Sequence, residues 1–494
     1  MNQMLLQDPQ QAAFILQKFS QPNTLQLVKD LIDLNSAKKG NISLINGINF
    51  GCQYEGFYDH PIIFFQSISQ QFFMDERMNN ERRDEFLQTV GHIKLDDQIM
   101  QFLMNISSKS DLSPLGFNKI LAFVHDMIQN EQKEFMQKIF KNCMKLLCSM
   151  MRDNQLLSIQ EWPVKCGGGL ENTQHMIISI LKTFNIPFNQ QIYDRDVDEI
   201  SAGLAKADII YLTLNAIKYL LVEDIPIGIT LISRLVFSAE SSKQFAQQFV
   251  QANGMGVINK YSLLSTDNNP LVIVDTLSLI SQLARISKDF YENIHNANIY
   301  TDLKNLIVHA DASIRAKVCN LIGNLCRHTG YFYEKLLNFG LISAAIECCR
   351  DPDRNTRKFA CFAVGNAGFH NDVLYEHLKP CVPLLVELLR DQEEKTRANA
   401  AGALGNFVRN SNALCRDLIK HGALSQLLEV VAYDKGPSQS PRRIALFSIG
   451  NLCVYKECRK EFEIMKIRQI IDPFTQTANS SDPQVVKYAA RIIQ

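Results

Sequence analysis

The sequence predicts an all-α protein built as a stacked α-solenoid, and two periodic observations carry that prediction. The dipeptide Gly-Asn recurs at 323–324, 365–366, 405–406 and 450–451. An Arg lies eight residues before each Gly, at Arg315, Arg357, Arg397 and Arg442. The steps of 42, 40 and 45 residues are typical of helical repeat arrays, in which each unit packs on its neighbours. Such arrays present extended surfaces to other macromolecules, so the pattern favours a binding protein over an enzyme.

Composition restricts the function classes further. The 494 residues are 46% hydrophobic and 21% charged, and no run approaches the roughly 18 apolar residues of a membrane span. The N-terminal MNQMLLQDPQQAAF has neither the basic nor the apolar region of a secretory signal. The 13 cysteines form no C-x-x-C pair and no disulfide framework. We therefore expect reduced buried thiols, no metal or cofactor, no membrane partner and a cytoplasmic location.

Charge is distributed unevenly along the chain. Residues 1–300 carry 25 Lys and Arg against 31 Asp and Glu, whereas residues 301–494 carry 26 against 20. The C-terminal part could favour an acidic partner, or self-associate with the acidic part of its own chain. Neither part shows the clustered basic stripe expected of a nucleic-acid-binding protein, so we expect no nucleic acid.

Each repeat is predicted to contain three helices. Gly340 and Gly422 mark the corner between the first two helices, with Pro380 in the equivalent place and Gly256 two periods upstream of Gly340. In the third helix, positions −6, −3, −2 and +1 from the ladder Asn form one apolar face. Its members are Val318, Leu321, Ile322, Leu325, Ala360, Ala363, Val364, Ala367, Ala400, Ala403, Leu404, Phe407, Ala445, Ser448, Ile449 and Leu452.

Capping residues followed by Pro predict helix starts, among them Asn269-Pro270, Asp351-Pro352, Ser440-Pro441 and Asp482-Pro483. The Gly of Gly-Asn is costly inside a helix, by about 1 kcal/mol relative to Ala. Its recurrence indicates close approach of the neighbouring third helix. Repeats are regular over 266–494 and degenerate over 1–265, where an irregular loop is expected near 38–61.

Two ladders are candidate partner-binding residues. The Asn ladder consists of Asn324, Asn366, Asn406 and Asn451, and the Arg ladder of Arg315, Arg357, Arg397 and Arg442. The Asn side chains could bind a peptide backbone or tie adjacent helices together. The Arg side chains could bind an acidic partner, or form inter-repeat salt bridges to acids such as Asp311, Asp353 or Glu394. No catalytic residues are proposed.

The three-helix unit, with G-[AL]-[LI] opening its second helix and A-L-G-N closing its third, resembles the armadillo repeat. The resemblance implies a right-handed armadillo/HEAT-type superhelix whose third helices line a concave groove, with the Asn ladder along it. Armadillo importins carry a Trp four residues before that Asn. Here those positions hold Asn320, Phe362, Gly402 and Phe447, which argues against nuclear import.

A narrower resemblance covers most of the chain. The segments VCNLIGNLCRHTGYFYEKLLNFGLI (318–342) and RDPDRNTRKFACFAVGNAGFHNDVLY (350–375) are similar to the C-terminal armadillo region of Fused serine/threonine kinases, as are LSPLGF (112–117) and EWPVKCGGG (161–169). The resemblance implies a location in the cilium, a role in the central apparatus of the axoneme and a kinesin-like partner. No V-A-I-K, H-R-D or D-F-G kinase motif is present in this sequence.

We therefore expect a non-catalytic armadillo scaffold that mediates protein–protein interactions in axoneme assembly or architecture. A soluble cargo, transport or signalling adaptor is the first alternative. The second is the regulatory region of a Fused-like kinase.

Overall fold

The computed structural model describes residues 147–161, 168–189, 194–238, 241–434, 438–476 and 482–493, with the single positions 144, 164 and 436. Within these ranges the chain forms α- and 3₁₀-helices and no β-strand. It divides into two compact units, residues 1–248 and 249–494. The expected irregular loop at 38–61 lies outside the described residues. The boundary at 265 between degenerate and regular repeats stays a prediction.

Helices α1 to α5 belong to the first unit, and α6 crosses the division. They are α1 (Asp153–Glu161), α2 (Leu170–Asn189), α3 (Asp194–Lys206), α4 (Ile209–Ile217), α5 (Ile225–Val236) and α6 (Ser242–Gln251). Helix α2 packs on α5, where the Arg234 guanidinium donates to Asn185 Oδ1 at 2.8 Å. Fully buried residues such as Phe184 and Ile232 form the core of this unit.

The second unit repeats an order of first, second and third helix. The first helices are α9 (Tyr291–Asn296), α12 (Tyr333–Asn338), α15 (Tyr375–Leu378), α18 (Cys415–Lys420) and α21 (Lys456–Ile464). The second are α7 (Gly254–Lys260), α10 (Tyr300–Leu306), α13 (Leu341–Glu347), α16 (Val382–Leu388), α19 (Ala423–Tyr433) and α22 (Ile467–Ile471). The third are α8 (Pro270–Ile286), α11 (Ala312–Leu325), α14 (Arg354–Ala367), α17 (Glu394–Asn406), α20 (Ser440–Leu452) and α23 (Pro483–Ile493).

Third helices form the continuous layer of this unit, because each packs on the next from α8 to α23. All sixteen residues of the predicted apolar register are buried, which confirms the helical face expected from the sequence. The second helices close the other side of the core through residues such as Leu341, Leu385 and Leu427, each fully buried.

The corner between first and second helices is a left-handed residue in most repeats. Gly340 and Gly422 have φ values of 72° and 73°, as predicted. Pro380 instead lies in a 3₁₀ turn, Lys379–Cys381. The corner predicted at Gly256 is wrong, because Gly256 lies inside α7 and Asn253, with φ 56°, makes the turn. Asn adopts this conformation more readily than most residues with a Cβ.

The Gly of Gly-Asn lies where neighbouring third helices approach closely. A Cβ on Gly405 would lie 2.8 Å from Ser448 Cα, and one on Gly365 would lie 3.3 Å from Ala403 Cα. At Gly323 a Cβ would collide with the ring of Phe362. The predicted close approach is confirmed at these three residues. It is wrong at Gly450, where the nearest atom to a Cβ would be 3.9 Å away.

Two of the predicted helix caps are confirmed. Asn269 accepts from the Leu271 amide ahead of Pro270, and Asp482 accepts from the Gln484 amide. The start predicted at Asp351-Pro352 is wrong, because α14 begins at Arg354 and Asp353 is its cap. At the remaining predicted start, Ser440-Pro441, α20 begins at Ser440 itself, and Gln439 before it makes no side-chain cap hydrogen bond.

The ten cysteines in the described ranges are all unpaired, and nine of them are buried, in keeping with the expected reduced thiols. No single described helix is long and apolar enough to cross a membrane, although the bent pair Asp198–Lys206 and Ile209–Ile217 passes by length and composition.

Candidate functional site on the third-helix face

The accessible side of the third-helix layer is one stripe of side chains, which we call the third-helix face. Counted from the ladder Asn, it consists of positions −7, −4 and 0, which share a side of an α-helix, and of position +3, which lies within α8 in the first repeat and in the turn after the third helix in the others. Position −7 holds Asp275, Lys317, Phe359, Asn399 and Ile444, and position −4 holds Ser278, Asn320, Phe362, Gly402 and Phe447. Position 0 holds Gln282, Asn324, Asn366, Asn406 and Asn451, and position +3 holds Arg285, Arg327, Phe369, Arg409 and Val454. Most members are partly or fully exposed, unlike the buried register between them.

The Asn ladder ties each third helix to the one before it. The Asn366 Nδ2 donates to Gly323 O at 2.8 Å, Asn406 Nδ2 to Gly365 O at 2.9 Å, and Asn451 Nδ2 to Gly405 O at 3.2 Å. Asn324 differs, because it donates to the Ser281 hydroxyl at 2.8 Å. One half of each amide is therefore used within the repeat array.

The other half of these amides has no partner within the part of the chain that the structure describes. Among the described residues, no donor reaches the Oδ1 atoms of Asn366, Asn406 and Asn451, and all three side chains are partly exposed. The Oδ1 of Asn324 also lacks a donor, but Asn324 is only 3% exposed. Three members of the ladder thus retain an acceptor that a partner's backbone N–H could use. Their predicted role in partner binding stays a prediction.

A ladder of tyrosines, missed by the sequence analysis, ties the repeats in the forward direction. The hydroxyls of Tyr291, Tyr333 and Tyr375 donate to the carbonyls of Asn324, Asn366 and Asn406 at 3.1, 3.1 and 2.8 Å. Burial raises the pKa of Tyr291 to about 12, so its hydroxyl stays protonated as a donor. The signal was present in the sequence as Tyr at steps of 42 residues.

A second missed ladder lies four residues after three of the ladder Asn residues. His328 Nε2 lies 3.0 Å from Arg285 O, and His370 Nε2 lies 3.1 Å from Arg327 O. Asn410 Nδ2 donates to Phe369 O at 3.1 Å. These contacts fix the backbone at position +3 of the preceding third helix.

The Arg ladder forms inter-repeat ion pairs at three of its four positions. Arg315, Arg357 and Arg397 contact Asp351, Asp391 and Asp434 at 2.7, 2.7 and 2.8 Å. The carboxylate side chains are only 8, 5 and 4% exposed, so these pairs lie largely out of water. Each Arg also donates to carbonyls of the loop before its own helix, as Arg315 does to His309 O and Ala310 O.

The acids suggested as partners from the sequence are wrong. Asp311 and Asp353 accept from backbone amides at the starts of their own helices, Ser313 N and Thr356 N. Glu394 accepts a hydrogen bond from the Ser438 hydroxyl. Arg315, Arg357 and Arg397 instead reach forward to the Asp in the loop of the following repeat. The pairing type was therefore foreseen, but the partner and its direction were not.

Two of the paired carboxyls, Asp351 and Asp434, are shifted toward their ionised form. Burial raises the pKa of Asp351, but hydrogen bonds from Arg315 and the Asp353 amide outweigh it, so its pKa lies below its usual range. Burial acts in the same direction on Asp434, where hydrogen bonds from Arg397 and the Gly436 amide likewise leave the pKa lowered. Each carboxylate thus cancels the charge of its Arg near neutral pH.

The fourth member of the ladder, Arg442, departs from the pattern. It donates to Val431 O, Asp434 O and Gln439 Oε1, and its guanidinium lies 4.9 Å from the centre of the Phe474 ring. The forward ion pair at this level is made by the next residue, Arg443, to Asp482 at 3.1 Å. All four ladder arginines are therefore engaged within the chain.

Comparison with known proteins agrees with this architecture. The family model for the armadillo/beta-catenin-like repeat matches residues 379–409, which hold the second and third helices of one repeat. The serine/threonine-protein kinase TIO of Arabidopsis thaliana, a Fused-like kinase, is 33% identical over 448 residues, or 81% of this chain. The chain spans about a third of the length of that kinase, 33%.

Solved structures similar to this chain include designed armadillo repeat proteins. One is 22% identical over 47% of this chain and 97% of its own length, with a TM-score of 0.42. Another, computationally designed for modular peptide recognition, is 20% identical over 49% of this chain and 98% of its own length, with a TM-score of 0.42. The repeated three-helix units and the match to the repeat show that the chain has the fold of an armadillo-type α-solenoid, and over 81% of its length it is similar to a Fused-like kinase.

Proposed function

We propose that this chain is a non-catalytic scaffold that docks a partner protein on its third-helix face, and that it acts in assembly or architecture of the ciliary axoneme, at the central apparatus. The observation that carries the docking function is the row of ladder amides, anchored through Nδ2 and open at Oδ1. Anchored acceptors on adjacent helices need no reordering when a peptide backbone binds, which lowers the entropic cost of association.

The arrangement of the face supports docking rather than chemistry. Within the described residues no group of three or more His, Cys, Asp or Glu side chains could hold a metal ion. The ladder arginines are held in ion pairs or by backbone carbonyls. An arginine side chain stays protonated in proteins, so these residues supply no nucleophile–base pair. The related kinase is a serine/threonine-protein kinase by name, and a regulatory role beside such a kinase is the second candidate.

The axonemal assignment rests on the resemblance to the Fused family. Its test is the location of a tagged chain in a ciliated cell before and after detergent extraction. We expect the wild-type chain to remain on the extracted axoneme. A diffuse signal that washes out would remove the axonemal assignment and favour a soluble adaptor.

The use of the third-helix face is tested with a blocking variant in the same cells. Gly402 lies on the face, and a Cβ there would meet only Ile444 Cγ2, at 3.3 Å. Gly402→Trp should therefore obstruct the face without disturbing the core, and should reduce retention on the axoneme. His377→Trp places the same bulk on an exposed first helix and should leave retention unchanged. Equal retention of both variants would exclude this face as the docking surface.

A further inference from the structure

The cations that remain available on the third-helix face are not the ladder arginines. Position +3 holds Arg285 in the last turn of α8 and Arg327 and Arg409 in the turns that follow α11 and α17, and all three are exposed. Among the described residues none of the three contacts a carboxylate, in contrast to Arg315, Arg357 and Arg397. We call Arg285, Arg327 and Arg409 the outer Arg row.

We propose that the outer Arg row binds an acidic, extended segment of a partner protein. The inference rests on the proposed docking function and specifies the chemistry of the partner at that surface. Charge complementarity is the argument, since the ladder arginines are neutralised internally and the outer Arg row is not.

The outer Arg row is held in position by groups that carry no negative charge. His328 and His370 hold the backbone carbonyls of Arg285 and Arg327. Arg285 Nε donates to Gln282 Oε1 at 2.8 Å, and the Arg409 guanidinium lies 4.1 Å from the centre of the Phe369 ring. These contacts orient the side chains without cancelling their charge. A guanidinium stacked on an aromatic ring keeps its N–H edge free for a carboxylate.

The spacing of the row suits an extended chain. Packed helices lie about 8–10 Å apart, and an extended peptide advances about 3.3 Å per residue. The step from each third helix to the next therefore corresponds to about three peptide residues. The three steps from Arg285 to Arg409 correspond to about eight or nine. Between the two ends, Phe369 takes the place of an Arg. A matching segment has an acidic residue about every third position and an apolar or aromatic residue opposite Phe369.

Other charges near the row leave the surface positive. Lys317 and Lys358 lie on α11 and α14, and the Lys358 ammonium lies 4.7 Å from the Phe359 ring centre. Burial lowers the pKa of Lys317, and Asp275, the carboxylate on the face itself, offsets part of that shift. Asp289 lies in the 3₁₀ turn Lys288–Phe290 after α8, and Asp372 lies in the loop after α14. An acidic segment must therefore follow the Arg positions and avoid these two carboxylates.

The test is a binding titration of the full chain with two fluorescent peptides of about twelve residues. One repeats Glu-Glu-Phe and the other repeats Lys-Lys-Phe. We expect the Glu peptide to bind and the Lys peptide not to. Affinity for the Glu peptide should fall as salt rises, because exposed charge pairs are screened. The double variant Arg327→Glu with Arg409→Glu should weaken binding at least about tenfold.

Control variants separate charge at the row from charge elsewhere. Arg416→Glu makes the same change at an exposed Arg on α18, and should leave affinity within about twofold of wild type. If the double charge reversal unfolds the chain, Arg327→Gln with Arg409→Gln replaces it and should still weaken binding severalfold.

Three results would overturn the acidic-partner inference: equal binding of both peptides, equal loss in Arg416→Glu, or no saturable binding of the Glu peptide. These failures are distinct from a failure of docking itself. Suppose that the wild-type chain remains on axonemes, that Gly402→Trp reduces this retention and that the Arg substitutions do not change it. The docking function is then kept and the acidic partner is lost. A wild-type chain that is not retained loses the axonemal assignment, and the peptide titration then decides the acidic partner by itself.

Discussion

The close packing of third helices predicts opposite outcomes for two glycines in the same helix. At Gly405 a Cβ would lie 2.6 Å from Ser448 Cβ and 2.8 Å from Ser448 Cα. Carbon atoms pack favourably at about 3.5–4.0 Å, so Gly405→Ala must move α17 away from α20 by about 1 Å. At Gly402 the one close atom is a methyl of the partly exposed Ile444, at 3.3 Å, and it can move.

The magnitude follows from three contributions. Overpacking costs about 1–3 kcal/mol, and the shift would lengthen the Asn451 Nδ2 to Gly405 O hydrogen bond from its present 3.2 Å, which costs about 1 kcal/mol more. Replacing a mid-helix Gly returns about 1 kcal/mol. We expect Gly405→Ala to lower the free energy of unfolding by about 1–3 kcal/mol. Gly402→Ala has only the helix term and should raise it by up to about 1 kcal/mol.

Urea and thermal unfolding of the full chain measure the difference, with hydrogen exchange of α17 and α20 amides as the local readout. Exchange is needed because a chain of two units need not unfold in one step. Wild-type stability in Gly405→Ala would refute the reasoning, since the close approach would then not constrain the stack. An equal loss in Gly402→Ala would show that any residue with a Cβ is harmful in this helix.

Three further predictions concern the contacts between repeats. Arg357→Met leaves the Asp391 carboxylate without its ion-pair partner at 5% exposure and should lower the free energy of unfolding in urea by about 2–3 kcal/mol. Arg350→Met is the control, because the side chains of its ion pair are 60 and 70% exposed, and it should cost under about 0.5 kcal/mol. Equal costs in the two variants would contradict the burial argument. Tyr375→Phe removes the donor to Asn406 O at 2.8 Å and should cost about 1 kcal/mol, detected as faster hydrogen exchange at the end of α17; unchanged exchange there would show that the tyrosine ladder does not hold the repeats. The pKa of Asp434 is lowered in the folded chain. Its contribution to stability is therefore complete above the unfolded-state pKa of about 4, and it is lost as the pH falls through the lower folded-state pKa. The stability difference between wild type and Asp434→Asn should therefore be largest at neutral pH and shrink toward pH ~3, and a difference that grows with acidification would reverse the assigned sign.

Much of the second unit was predictable because its repeats obey local rules. A buried register at helical spacing can be read from four copies of one pattern, and a Gly retained at a costly position indicates a steric limit. Both inferences rest on residues of a single helix. The Gly256 error came from matching residue identity, since Asn253 makes the same left-handed corner.

The contacts of the Arg ladder were harder to foresee because they depend on which loop lies beside which helix. Two of the periods contain two acids near the start of the third helix, such as Asp351 and Asp353. One caps its own helix and the other receives the Arg of the preceding repeat. Sequence spacing does not distinguish the two roles, because the choice follows from the stacking of whole repeats. The Tyr and His ladders escaped notice for the same reason, since their acceptors are backbone carbonyls.

The structure also determines which substitutions can test function. A change at Asn366 or Asn406 removes the acceptor offered to a partner and, at once, the amide that holds the preceding helix at 2.8 or 2.9 Å. Loss of binding in such a variant would not separate docking from stacking, and the same holds for Arg357 and Arg397. Gly402 and the outer Arg row differ, because no contact between repeats depends on a Gly402 side chain, and the backbone carbonyls of Arg285 and Arg327 carry the ties made at that row. Side-chain changes at Gly402, Arg327 and Arg409 therefore alter the surface while the stack beneath them keeps its hydrogen bonds.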